Sequence, residues 1–299
     1  MQQESKWRRN MLRLSPPIAQ HLQIGKEGEA ERQELLRKAR TMDVKTITVT
    51  RVPDSWTDDN AQEARRFLDD NGMRVGEFTG FYKGTRPWGG LGGFDRADHE
   101  FTINLYRRQL RIAKILGAHF VGFGILNGRT TGRLWDEDVW ESCMNGVREL
   151  CKMAEDAGMD VAGHPHTMSP LSSVARMERM LDEGQSPRLK ILLDPVNIVT
   201  PFIAYRTGEM INECFDVLGK AIVGIHAKDV TLSGGGKIVA HIDEAVPGTG
   251  TLDYPTLLRR MAALGTDITI HAEHYPFAET VQGQMYIRSV GRQTGVAVS

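Results

Sequence analysis

From residue 18 onward, short apolar or β-branched runs alternate with longer amphipathic segments. The runs fall at 18–25, 46–51, 74–79, 120–125, 160–164, 190–194, 222–227 and 268–273. Between them, segments such as 29–41, 59–71, 101–116, 138–157 and 254–264 place apolar residues three or four apart in helix-forming composition, so the pattern predicts repeated β/α units around a parallel sheet. Several predicted helices end where a left-handed residue is wanted, at Asn71-Gly72, Leu116-Gly117, Ala157-Gly158 and Leu264-Gly265. With no break in composition that would serve as a linker, the units predict one α/β domain, a single (β/α)₈ TIM barrel over 18–299. Residues 1–17 are then expected to be an N-terminal tail or oligomer arm.

Composition narrows the function. The 37 basic and 38 acidic residues leave a net charge of −1, which supplies no overall field for a nucleic acid or a membrane surface. The basic N-terminal stretch with Lys6, Arg8, Arg9 and Arg13 has too few neighbouring apolar residues for a signal peptide or a span. Cys143, Cys151 and Cys214 show no CxxC spacing and fall in predicted helices, so they read as buried small hydrophobes in a reducing, cytoplasmic setting. A homo-oligomer acting on a small molecule fits this picture.

A glycine run at 89–93 follows the third predicted strand without the spacing of a dinucleotide-binding loop. It is expected to be a loop at the barrel mouth, with Phe81, Tyr82, Trp88 and Phe94 as aromatic surfaces for a sugar face. A second run at 233–236 is expected to be a loop after the seventh strand.

In a TIM barrel the reacting groups stand at the C-terminal ends of strands. Here the last four predicted strands end in Gly163-His164-Pro165-His166, Asp194-Pro195-Val196-Asn197, His226-Ala227-Lys228-Asp229 and His271-Ala272-Glu273-His274. Side chains two apart share a face, so imidazoles and carboxylates from adjacent strands converge on the barrel interior. Such a mixed nitrogen and oxygen set suits a divalent ion such as Mn²⁺, Co²⁺ or Zn²⁺, with Mg²⁺ less favoured by imidazoles.

The order of these motifs resembles the xylose-isomerase-like barrels, a superfamily that includes sugar isomerases and epimerases, inosose dehydratase, 3-oxo-glycoside deglycosidases and apurinic-site endonucleases. The resemblance implies one divalent ion, Mn²⁺ first, bound by His164, Asp194, His226 and Glu273, with His164 standing where the family usually has a glutamate. It further implies proton abstraction α to the carbonyl of a keto-sugar through a metal-stabilised enediolate. Glu273, His166 as a general base and Lys228 as an oxyanion stabiliser are the catalytic candidates. Lys228 could alternatively be spent in an ion pair with Asp229 or Glu77. Glu77, Trp88, Asn197 and His274, with Thr79 beside Glu77, are candidate sugar contacts.

Two-base epimerisation would need a second carboxylate that position 164 does not supply. β-Elimination from a 3-oxo-glycoside, in some relatives with a small partner subunit, therefore stands beside isomerisation. An endonuclease-like hydrolase would need further metal ligands, for which His241 and Asp243 are the candidates, and a positive surface that the charge balance does not provide. A non-catalytic sugar-binding barrel is the remaining alternative.

Overall fold

The computed structural model describes residues 12–19, 22, 24–25, 28–50, 52–79, 91, 96–125, 133–233, 240–272 and 274–299. Eight parallel strands make the barrel wall: β1 (Leu12–Leu14), β2 (Thr46–Val49), β3 (Arg74–Thr79), β4 (Phe120–Gly124), β5 (Asp160–His164), β6 (Leu189–Leu193), β7 (Ile222–Ala227) and β10 (Ile268–Ala272), in the order β1-β10-β7-β6-β5-β4-β3-β2. Helices α1 (Glu29–Met42), α2 (Asp58–Asp70), α3 (Arg96–Leu116), α4 (Glu137–Ala157), α5 (Val174–Gly184), α6 (Thr207–Leu218), α7 (Tyr254–Ala263) and α8 (Phe277–Thr294) surround it. The chain is thus a single (β/α)₈ TIM barrel. Among the described residues, no helix is long and apolar enough to cross a membrane.

The helices start and stop where local chemistry directs. Thr57 and Asn60 form a reciprocal capping box at the head of α2, and Asp253 caps α7 with a proline in its first turn. Gly72, Gly117, Gly158 and Gly265 all adopt positive φ at the helix exits anticipated for them. Cys143 and Cys151 on α4 and Cys214 on α6 are buried among the helix–sheet contacts, as their context predicts.

The first strand departs from expectation. It is Leu12–Leu14, inside the segment expected to be a tail, and not the run at 18–25. Pro16 and Pro17 supply no backbone N–H, so a strand cannot continue through them, and the apolar side chains after them serve another purpose. Ala19 and Leu22 are buried in a loop that leads into α1, and Ala19 makes one bridge to Val49.

The barrel closes between β1 and β2 without a regular ladder. Thr48 N–H donates to Pro16 O at 3.0 Å, and Thr48 Oγ donates to Ser15 O at 2.8 Å. On the same side of β1, Ser299 exchanges backbone hydrogen bonds with Leu12 and Leu14.

Inside the barrel the filling is divided. Phe120, Ala162, Leu192 and Val223 form an apolar plug beneath the C-terminal mouth. On the side of β1, β2, β3 and β10 the interior is polar instead, lined by Ser15, Thr46, Thr48, Glu77, Thr269 and His271, all buried. In β3 a register shift sets Gly76 and Glu77 together opposite Thr48, since Ile47 pairs with Val75 and Val49 with Phe78. There is no space for a side chain at residue 76: a Cβ there would stand 2.7 Å from Ser15 Oγ.

One element was absent from the sequence expectation. The segment after β7 is not a plain loop but an antiparallel hairpin of β8 (Asp229–Ser233) and β9 (His241–Ala245). Buried Asp229 organises its base, accepting backbone N–H groups of Val230, Gly248 and Leu252. The glycines at 234–236 lie outside the described residues.

Candidate active site

His164 is the last residue of β5, Asp194 follows β6 directly, and His226 lies near the end of β7. These neighbouring strands bring one ligand atom from each residue within 4.8 Å of one another, all buried. It is the grouping among the described residues that could hold an ion, and it matches three of the four ligands expected from sequence. Glu273, the fourth, lies outside the described residues, as do Trp88, Phe81, Tyr82 and Phe94. His241 and Asp243 stand on β9 and do not join the group.

Each of the three side chains is aimed by its surroundings. Asp194 is 0% exposed; its Oδ1 accepts the Asn197 N–H at 3.1 Å, made available by a turn of 3₁₀ helix at Val196–Ile198. Its Oδ2 faces His164 Nε2 at 3.3 Å, His226 Nδ1 at 3.9 Å and Lys228 Nζ at 2.9 Å. Burial alone would raise the Asp194 pKa, but the Lys228 ammonium and the His164 hydrogen bond outweigh it and keep the carboxyl ionised. His226 has its Nε2 on Glu77 Oε2 at 3.1 Å, which directs Nδ1 toward Asp194. Two imidazole nitrogens and one anionic oxygen, buried and mutually close, fit a divalent transition ion in both charge and donor type.

Lys228 is almost fully enclosed, and among the described residues its acceptors include Asp194 Oδ2 and Glu244 Oε1, each at 2.9 Å, and Asn197 Oδ1 at 3.0 Å. The sequence offered Asp229 or Glu77 as its ion-pair partner. The structure gives Asp194 and Glu244, because Asp229 is occupied with backbone groups and Glu77 with histidines. Asn197 also donates to Pro165 O at 3.1 Å, so it braces the ends of β5 and β6.

Glu244 escaped the sequence reading. It comes from β9, and its second oxygen meets His274 Nδ1 at 2.9 Å. His274 has φ +68, a left-handed conformation unusual for a non-glycine residue, and its side chain is 53% exposed. The signal for Glu244 was present: the alternating segments 229–233 and 241–245 flank a glycine run, as hairpin strands do.

Partly buried His166 sits two residues beyond His164, and its Nδ1 accepts the Met168 N–H at 3.0 Å. A backbone N–H can only donate, so the neutral ring carries its proton on Nε2. Burial lowers the His166 pKa, helped by the charges of His164 and Lys228 and opposed by Asp194 and Glu244. In this pose His166 presents an N–H donor. The base role expected from sequence would require Nδ1 to give up Met168. Glu77 is 0% exposed and is held by His226, His271 and Thr79, so it belongs to the barrel interior.

This fold and strand-end chemistry place the protein in a defined class. The chain belongs to the xylose isomerase-like TIM barrel family, which it matches over residues 36–290. A curated relative, the inosose dehydratase of Geobacillus thermodenitrificans, is 23% identical over 175 residues, which cover 52% of this chain and 56% of that protein. The match thus spans about half the length of that relative. Among solved structures, the 3-keto-D-glucoside 4-epimerase of E. coli in its apo form aligns with a TM-score of 0.66 at 15% identity, covering 93% of this chain and 99% of the other. A xylose isomerase-like TIM barrel protein from Mycobacterium smegmatis in complex with magnesium aligns with a TM-score of 0.69 at 16% identity, covering 95% and 96%. At these identities the structural likeness establishes the fold.

Proposed function

We propose that this protein is a metal-dependent enzyme that removes the proton α to the carbonyl of a keto-sugar. The observation that carries this reading is the convergence of His164, Asp194 and His226 within 4.8 Å at the ends of neighbouring strands. These three, with Glu273 as the expected fourth ligand, would hold one divalent ion, Mn²⁺ being the first expectation, whose Lewis acidity would polarise a substrate carbonyl.

The chain's own residues supply the remaining chemistry. Glu273 is assigned the proton abstraction, since His166 is turned to donate. Lys228, held by Asp194, Glu244 and Asn197, adds a positive charge that favours negative charge developing on a substrate oxygen. His166 offers its Nε2–H to a substrate hydroxyl or leaving oxygen. Asn197 and Glu244 position Lys228, and their part in sugar recognition is indirect.

Return of the proton gives isomerisation or epimerisation. A second reading is β-elimination from a 3-oxo-glycoside, which would use His166 to protonate the departing oxygen. It is supported by the donor pose of His166 and by the keto-glucoside named for the E. coli structure. Both routes begin with loss of a proton α to the carbonyl.

NMR in D₂O tests the proposal on a panel of ketoses and 3-keto-glucosides. Deuterium should enter at the carbon next to the carbonyl in product or recovered substrate. A substrate that turns over with no deuterium uptake would point to hydride transfer or hydrolysis and overturn the assignment.

A further inference from the structure

We infer that Glu77 is a positioning residue that fixes which nitrogen of His226 faces the ion site. The inference rests on the proposed metal site for its consequence, but on the barrel interior for its evidence.

A carboxylate with no exposure is costly unless donors surround it, and Glu77 has been given both space and donors. Space comes from two glycines. The bulge at Gly76 turns Glu77 inward, and at Gly122 of β4 a Cβ would stand 2.9 Å from Glu77 Oε1. Thr79 Oγ donates to Oε1 at 3.0 Å, while Oε2 lies 3.1 Å from His226 Nε2 and 3.3 Å from His271 Nδ1.

The protons on the two rings follow from their partners. His271 Nδ1 faces Ser15 O at 3.1 Å, and a carbonyl can only accept, so Nδ1 carries the proton. Thr48 donates to that same carbonyl and takes a close contact from His271 Nδ1, and Thr269 Oγ bonds His271 Nε2 at 2.9 Å. His271 is thereby held with its Nδ1–H edge directed at Glu77. Glu77 is the acceptor for His226 Nε2–H in turn, and the His226 lone pair is forced onto Nδ1, 3.9 Å from Asp194 Oδ2. A carboxylate behind a ligating imidazole orients the ring and raises its basicity. The polar side of the barrel interior is thus a brace running from Ser15 and Thr48 through His271 and Glu77 to His226.

The test uses the full chain with two readouts. Histidine ¹⁵N NMR of metal-free protein, followed upward from the ordinary imidazole pKa of about 6.5, should report the neutral His226 ring as the Nε2–H tautomer. In Glu77→Leu it should become a tautomer mixture. Co²⁺ titration should show affinity reduced by about 10-fold to 100-fold in Glu77→Leu, and less in Glu77→Gln, which keeps a neutral acceptor. Gly122→Ala, which displaces the carboxylate without removing its charge, should also weaken Co²⁺ binding. If Glu77→Leu fails to fold, Glu77→Gln and Gly122→Ala decide. Unchanged His226 tautomer with Co²⁺ affinity within about two-fold of wild type, far short of the loss expected for an outer-shell carboxylate, overturns the inference. Wild-type protein that shows the tautomer yet takes up no Co²⁺ would instead sink the metal site while leaving the positioning role of Glu77 intact.

Discussion

The Lys228 ammonium lies 2.9 Å from Asp194 Oδ2, and both side chains are almost completely withdrawn from solvent. Two opposite charges buried together become a liability when one is removed, at a cost of about 3–5 kcal/mol. Lys228→Met is therefore expected to lower the unfolding free energy by about that amount in metal-free protein, measured by chemical denaturation. A divalent cation should restore part of the loss, because an ion bound at Asp194 supplies the missing positive charge. Equal stability of wild type and variant without metal would show the pair to be energetically idle.

Purified protein is expected to hold about one divalent transition ion per chain, the stoichiometry of a single site with closely spaced ligands. Elemental analysis checks this. Asp194→Ala and His164→Ala should lose the ion. Full occupancy in both variants would remove these residues from the ligand set.

His166→Ala should keep its metal and lose turnover by roughly 10²-fold to 10⁴-fold, the range for a missing proton-transfer group. His166→Gln, which retains an N–H donor, should lose less. A glutamine variant as impaired as the alanine one would argue against the donor role drawn from the Met168 hydrogen bond.

At the N-terminal end of β4, burial lowers the pKa of His119, with Arg13 adding to the effect and Asp160 and Asp267 opposing it. The unfolded chain therefore takes up a proton at this residue at higher pH than the native one does. Stability supplied by neutral His119 is present above the unfolded-state pKa of about 6.5 and is lost as pH falls below it toward the folded value. Unfolding free energy should rise with pH across that window, and His119→Gln should flatten the slope. An unaltered slope would mean that other groups set it.

The thiols of Cys143, Cys151 and Cys214 are pushed up by burial to about 12, 11 and 12. Native protein should therefore be inert to thiol reagents at neutral pH, and all three cysteines should react once it is unfolded. Rapid labelling of any of them in folded protein would contradict its packing.

Much of this architecture was legible because period and punctuation agree. Strands β3, β5 and β7 coincide with their apolar runs, and four glycines mark helix exits. His164, Asp194 and His226 were legible because strand side chains alternate and barrels react at one end. Strand β1 was not, since three residues carry no measurable period and the apolar side chains after Pro17 fill the core from a loop. The placement of Glu77 among buried histidines was not legible, because a bulge, invisible in the sequence, turns it inward. Glu244 was missed because it reaches the site from a hairpin, and its value depends on where Lys228 ends up.

The irregular closure beside β1 bears on how the polypeptide can assemble during synthesis. From β3 to β7 every new strand meets a partner already made. β1 is different: its ladder partner is residues 268–270, and its other flank is held by residues 298–299. β1 must therefore stay without its ladder partner until residues 268–270, and Ser299 behind them, have been made. Through that interval β2 also keeps an open edge, which other chains could pair with. In the folded barrel that edge is met by Pro16 and Ala19, through the Thr48 N–H and the bridge at Val49.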